Sequence, residues 1–524
     1  MPGSMQRSAL ALAAAACLPF ASHLCGQALS DRAANRILEQ ATWGPAPAGS
    51  STLQSQGFDA WFAEQVSAPV SSYADQPLFN AAGMTNTNVS PVQAAFFQNA
   101  LNGPDQLRQR VAFALSEIWV VSNLEVNNAS AFPPLLRIFQ NDAFGNYEKL
   151  MKDVTLSPAM GRYLNMVNND KGNAAKGTAA NENYARELLQ LFTVGLARLN
   201  INGTPAIDSS GNTVPTYAQA DVANLAKAFT GWTYPPEPGI ANKSHNPTYY
   251  LAPMVAYEAN HDTGAKQILG VTLAPNQTAE MDLDEALQVV FAQSSLPPFI
   301  AQQLIEHLVT SNPSAAYVGR VAQVFENNGS GARGDLKAVV YAILSDPEAR
   351  AADSPNGVDQ ENFGHMREPV LFVANLLRGL NGTLSNTAGV AGAATGLGQQ
   401  LFFAPSVFSY FSPQYRTAGG LLGPELQIYS TQTAASRANL VNSAIYNGQY
   451  DTGTKFNIGA YTTAASTSST ALIGLINQVF FHDAMSQSLQ TAINQALGPL
   501  TLASDKAKAA LYVALTSGEY QVIH

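Results

Sequence analysis

The chain has 524 residues, 46% of them hydrophobic and only 12% charged, with a net charge of −10 at neutral pH. A negative balance argues against nucleic acid, which needs basic patches, and against an anionic membrane surface. Both cysteines, Cys17 and Cys25, fall within the first 28 residues. The rest of the chain therefore has neither disulfide nor thiolate chemistry and is held by packing.

Residues 1–28 read as an export signal. Arg7 is the one charge ahead of the apolar run from Ala9 to Ala21, and Gly26-Gln27-Ala28 supplies small residues for cleavage. The run falls short of the roughly 20 apolar residues that a membrane span needs. The mature chain is expected to be secreted or periplasmic, with no membrane span. Its Asn, Gln, Ser and Thr take the surface role that Lys and Glu usually hold, which suits neutral polyhydroxyl partners.

Helical periodicity then dominates. Ala34, Ile37, Leu38 and Ala41 recur at helical spacing, as do Leu107, Val111, Ala114 and Leu115, with Ile118 and Trp119 continuing that face. Val222, Leu225, Ala226 and Phe229 form another stripe. Phe299, Gln303, Ile305 and Leu308 predict a helix that stops near Ser311-Asn312-Pro313. Helices over Tyr317 to Glu326 and Asp335 to Leu344 flank the turn Asn327-Asn328-Gly329-Ser330-Gly331, and Pro369 to Leu380 starts with proline in its first turn. Short hairpins are expected at Asn202-Gly203 and Ser210-Gly211-Asn212. Three polar segments interrupt the pattern: Asn168 to Ala180, Thr233 to Gly264, and a Gly/Ala/Thr-rich stretch from Asn381 to Gln399, expected to be mobile. The predicted class is mainly α, with one large helical domain over residues 29–524, long irregular loops and a few short hairpins.

The segment Asn181 to Gly195 concentrates scarce charge beside a strong apolar run. Asn181 reads as an N-cap, and Glu182 in the first turn favours the helix dipole. Glu182 and Arg186 stand four apart, as do Asn183 and Glu187. This structural account covers most of the motif and covers Glu187 least, because that residue borders the apolar face. A carboxyl there is desolvated and raised in pKa, as a general acid requires. Downstream, Trp232 in Phe229-Thr230-Gly231-Trp232-Thr233 is either a lid on the core or a stacking platform. His261-Asp262 belongs either to an acid/base pair or to a capped turn before Thr263-Gly264. Arg367-Glu368-Pro369 has the look of a helix start with a structural ion pair. Phe403 to Pro413, broken by prolines, predicts a packed irregular loop, and Ser406 lacks the Gly-x-Ser-x-Gly elbow of a nucleophile. No phosphate-binding loop, dinucleotide fingerprint or zinc motif occurs, and His245, His307, His365, His482 and His524 lack metal-ligand spacing, so no cofactor is expected.

With these motifs in order, the chain resembles the large bacterial family known as domain of unknown function 1800. Its signature resembles Asn181-Glu182-Asn183-Tyr184-Ala185-Arg186-Glu187-Leu188-Leu189-Gln190-Leu191-Phe192-Thr193-Val194-Gly195. Flanking marks are Ala41-Thr42-Trp43-Gly44-Pro45, Phe229 to Thr233, His261-Asp262-Thr263-Gly264 with Lys266 and Gly270, Arg367-Glu368-Pro369, Ala404 to Phe408, and Pro424-Glu425-Leu426-Gln427-Ile428. Many relatives carry a Trp-His-x-His-like segment where this chain reads Leu115-Ser116-Glu117-Ile118-Trp119-Val120-Val121-Ser122, so a metal role inferred from it does not carry over. The resemblance implies export, a mainly helical domain and frequent co-encoding with a phosphatase- or sulfatase-like protein, and it implies no established reaction.

Three functional expectations emerge. The first is a hydrolase of polysaccharide or glycoconjugate, with Glu187 as general acid, Glu182 as second carboxylate and Arg186 as orienting charge. Asn181, Asn183, Trp232, Tyr250, His261 and Asp262 would bind substrate. The second is a non-catalytic export or assembly partner of the co-encoded protein. The third is a metal-dependent redox enzyme built on His261 and Asp262.

Overall fold

A computed structural model describes residues 29–47, 49–354, 362–385 and 388–524. The expected leader at 1–28 lies outside the described residues. Helices carry the architecture, and strands occur only in short antiparallel sheets of two or three strands among the described residues. None of these helices is long and apolar enough to cross a membrane.

The predicted stripes become helices at Asp31–Ala41, Gln106–Ile118, Gln219–Ala228, Leu296–Leu308, Ala315–Glu326, Leu336–Ser345 and Pro369–Gly379. Their starts follow from side-chain capping. Ser30 accepts from the Ala33 N–H, Ser314 from Tyr317 and Asp335 from Ala338, each satisfying a donor that a helix end leaves open. The stripes meet in a continuous apolar core that runs from Ala34 to Ile523. Within it Leu296–Leu308 packs on both Ala315–Glu326 and Gln106–Ile118. The chain's end returns to its middle, where Val522-Ile523 pairs antiparallel with His365-Met366.

A buried polar knot fastens the first helix to Pro369–Gly379. Arg367 pairs with Glu39 at 2.7 Å and lies 4.4 Å over the Tyr520 ring, while Asn375 Nδ2 donates to Glu39 at 2.9 Å. Burial works to raise the Glu39 carboxyl, but the Arg367 and His482 charges override it and hold the group at about 2. The ion pair expected of Arg367 is thus present, with a partner more than 300 residues away in sequence.

Some segments differ from their sequence pattern. Within Asn381–Gln399, Thr383-Leu384 pairs with Thr454-Lys455, and Ala391–Gly396 forms a short helix that buries Ala393 and Ala394. The helix expected over Asn181–Gly195 is α-helical only over Asn183–Glu187 and continues as a π-turn over Leu188–Thr193. The hairpins around Asn202 and Gly211 appear as single antiparallel bridges, Leu199 with Pro205 and Ile207 with Thr213.

Candidate functional site

The residues nominated from the sequence fall into separate places. Asn181 accepts the Asn183 N–H at 2.9 Å. Glu182 pairs with Arg186 at 2.9 Å and accepts Gln219 Nε2 at 2.7 Å, with both charged side chains roughly a third exposed. Asn183 turns to Asn165 at 3.3 Å instead of to Glu187. Glu187 is half-buried, and burial raises its carboxyl against the opposing pull of Arg186. Trp232 is buried at the bridge to Ala256, and Tyr250 is buried edge-on against Tyr234. His261 is fully buried. Its Nδ1 faces the Thr230 carbonyl at 2.9 Å, its Nε2 faces Asp282 Oδ2 at 2.8 Å, and Lys266 Nζ reaches that same oxygen at 2.5 Å. Asp262 accepts the Gly264 N–H in a capped turn.

A different set of ionisable groups converges on one cleft of about 600 Å³. Glu306 and His307 stand in the last turn of Leu296–Leu308, and Glu117 stands in the last turn of Gln106–Ile118. Glu425 sits in the 3₁₀ turn Pro424–Ile428. Phe408, Ser409 and Phe411 come from the irregular loop, and Gln190, Leu191 and Gly195 from the π-turn and its end. None of the residues lining the cleft is Lys or Arg, and neither Glu182 nor Glu187 lines it.

Helix packing accounts for the chemistry of this floor. Glu306 is recessed between helices yet still touched by solvent, and desolvation pushes its carboxyl up to about 8. Gln302 Nε2 donates to it at 2.8 Å and opposes the shift, while the negative charge of Glu425 adds to it. Glu117 is raised well above the usual carboxylate range by burial and by Glu368, although Ser409 donates to it and Arg110 attracts it. It also borders a small recess of about 30 Å³, room for a water molecule. His307 is pulled down to about 3 by burial and the Arg110 charge, so its ring is neutral.

Behind the floor lies Arg110, fully buried, with Nη2 donating to the His307 carbonyl at 2.5 Å and with Nε and Nη1 lacking partners. His365 Nδ1 stands 3.2 Å from Glu425 Oε1, and Glu425 Oε2 is buried without a partner, as is Gln303 Nε2. Gln303 Nε2 and Glu425 Oε2 both belong to residues lining the cleft, and buried polar atoms of this kind can take hydrogen bonds from a bound molecule. The arrangement holds a proton on one carboxyl beside a second carboxylate, the division of labour that general acid/base chemistry needs.

Sequence reasoning missed Glu117, Glu306, Glu425 and Arg110 as a group. Glu306-His307 lies in an otherwise uncharged, largely apolar helix, a signal like the one that drew notice to Glu187. The convergence of Gln106–Ile118, Leu296–Leu308 and Pro424–Ile428 leaves no local trace.

Fold and cleft together define a mainly helical protein with buried carboxyl groups converging on a solvent-reached pocket. The chain belongs to the family described as "Protein of unknown function (DUF1800)", which matches residues 36–522 and so spans every residue of the cleft. No curated protein and no solved structure matches the chain.

Proposed function

We propose that this protein is an exported, carboxylate-dependent hydrolase of polysaccharide or glycoconjugate, working at the 600 Å³ cleft. Glu306 acts as general acid and protonates the leaving glycosidic oxygen. Glu425 is the second carboxylate. It either takes a proton from the attacking water or attacks the anomeric carbon, after which water releases the sugar. In both routes one water is added across one C–O bond. With Glu425 as base, the water's proton passes to Glu425, which releases it to solvent while Glu306 is reprotonated from solvent; with Glu425 as nucleophile, Glu306 takes its proton back from the hydrolytic water. Arg110 and His365 position the pair from behind: the first balances the clustered negative charge, and the second holds Glu425.

The observation that carries this reading is the pairing of Glu306, held protonated to about pH 8, with the negative charge of Glu425 in one cleft. Two carboxyl groups in unlike surroundings, one forced neutral, are the working parts of glycoside hydrolysis. Export rests on the pattern of residues 1–28.

Release of reducing ends from a panel of soluble and insoluble polysaccharides tests the reading. Glu306→Gln and Glu425→Gln should each lower the rate by roughly 10²–10⁴ with the helical signal intact, while Glu182→Gln and Glu187→Gln leave it unchanged. Full activity in both cleft variants, or no release from any polysaccharide by the wild type, sinks it. Loss confined to the Glu182 and Glu187 variants would move the active site to the Asn181–Gly195 segment.

A further inference from the structure

The loop between Ala404 and Pro413 holds an aromatic ring out into solvent at the cleft, and a fixed turn keeps it there. Phe408 is 43% exposed, whereas Tyr410 and Phe411 beside it are each 8% exposed. Ser406 and Ser409 form an antiparallel bridge, the Ser409 N–H donates to the Ser406 carbonyl at 3.2 Å, and the Phe408 N–H donates to Ser406 Oγ at 3.1 Å. Ser409 adopts a left-handed φ of 65°, which side chains other than Gly and Asn rarely take, and its hydroxyl donates to the Glu117 carboxyl. A strained residue persists only where its surroundings over-determine it, and such residues cluster at binding sites. The turn ties the loop that carries the exposed ring to a carboxyl of the cleft floor through Ser409.

We propose that Phe408 is a stacking platform for the apolar face of an uncharged sugar ring, with Gln303 and Glu425 binding hydroxyls of the same chain, so that the cleft selects neutral glycan segments and rejects uronate or sulfate sugars. This rests on the hydrolase reading and specifies its substrate. Aromatic faces pack on C–H-lined surfaces and gain beyond simple burial. Gln303 Nε2 and Glu425 Oε2, both buried and unpartnered, offer donors and an acceptor that sugar hydroxyls can satisfy. Gln190, Gln302 and Gln414 add amides to the wall. An anionic sugar would enter a cleft that offers carboxyl groups and no lining Lys or Arg, so its charge would be desolvated without a counter-charge.

The test is calorimetric titration of the mature chain carrying Glu306→Gln, which prevents turnover, with cello-, malto-, xylo- and chito-oligosaccharides and with oligogalacturonate. At least one neutral series should bind and oligogalacturonate should not. Phe408→Ala, a change at an exposed side chain, should weaken that binding about tenfold or more, and Phe408→Trp should restore it. Binding indifferent to Phe408→Ala, preference for oligogalacturonate, or no binding by any neutral series would overturn the subsite. Phe408-dependent binding with no hydrolysis by the wild type would keep the subsite and defeat the hydrolase reading. Hydrolysis that depends on Glu306 but not on Phe408 would do the reverse.

Discussion

Replacing Glu306 by glutamine should remove activity and strengthen the fold over a defined pH window. The wild-type carboxyl titrates at about 8 in the folded chain against 4.5 as its ordinary value. A raised folded pKa means that stability is fully present below 4.5 and is lost as pH rises through 8. At pH 7 the unfolded chain has released this proton and the folded chain has not. The interval from 4.5 to 7, at about 1.4 kcal/mol per pH unit, sets a ceiling of about 3.5 kcal/mol on the penalty. Glu306 is half-buried, so water at the cleft floor screens part of it and about 2 kcal/mol is expected. Glutamine keeps the acceptor for Gln302 Nε2 and does not titrate. Urea unfolding of both proteins at pH 4, 7 and 8.5 should show equal stability at pH 4, with the variant about 2 kcal/mol ahead at pH 7 and further ahead at 8.5. In parallel, wild-type kcat/KM should halve near pH 8 and fall about tenfold per unit beyond, as the general acid loses its proton. A variant equally destabilised at all three pH values would show that Glu306 is a packing residue, and the reasoning would fail. Greater stability bought with lost activity is the trade expected of a site residue.

Three further outcomes rest on buried ion pairs and packing. Glu39→Gln strips the partner from buried Arg367 and should cost about 3 kcal/mol at pH 7. Because the Glu39 pKa is depressed to about 2, this stability is present above 4.5 and lost as pH falls toward 2, so acid unfolding should begin at higher pH in the variant. Asp282→Asn leaves the Lys266 ammonium buried without its counter-charge and should lower stability by about 3–5 kcal/mol in urea titration, with a loss under 1 kcal/mol counting against the account. Gly195→Ala places a Cβ 2.8 Å from the Phe299 ring at a φ of +71°. It should cost about 1–3 kcal/mol, read from the urea midpoint, and should also disturb a wall of the cleft.

How far the sequence can be read depends on the range of its signals. Helix positions rest on local periodicity and on caps such as Ser314 and Asp335, which act within four residues, so they are legible. The Arg367 ion pair is legible as a type, because a buried arginine demands a carboxylate, but Glu39 is invisible as its partner across more than 300 residues. The short helix at Ala391–Gly396 escapes because Gly and Thr mask a segment that packing on Pro369–Gly379 holds in place. The carboxyl groups of the cleft escape for the same reason as Glu39. Glu117, Glu306 and Glu425 come from three distant elements, and each alone resembles an ordinary helix-end carboxylate.

The Asn181–Gly195 segment nevertheless bears on the cleft through its second half. An α-helix turns about 100° per residue, and a π-turn inserts one residue into the ladder, rotating the remainder of the segment by that arc. Tyr184, Leu188 and Phe192 remain in the core, with Phe192 stacked 4.5 Å from Trp119. The Tyr147 hydroxyl donates to the Phe192 carbonyl at 2.6 Å, and the Thr193 hydroxyl donates to the Leu188 carbonyl at 2.5 Å, so both side chains satisfy carbonyls in the widened turn. The turn thereby delivers Gln190 and Leu191 to the cleft wall, and Gly195 ends it against Phe299. The Glu182–Arg186 pair at the other end stays at the surface, where such pairs contribute little stability. The apolar and amide half of the motif, rather than its charged half, is the part that joins it to the cleft.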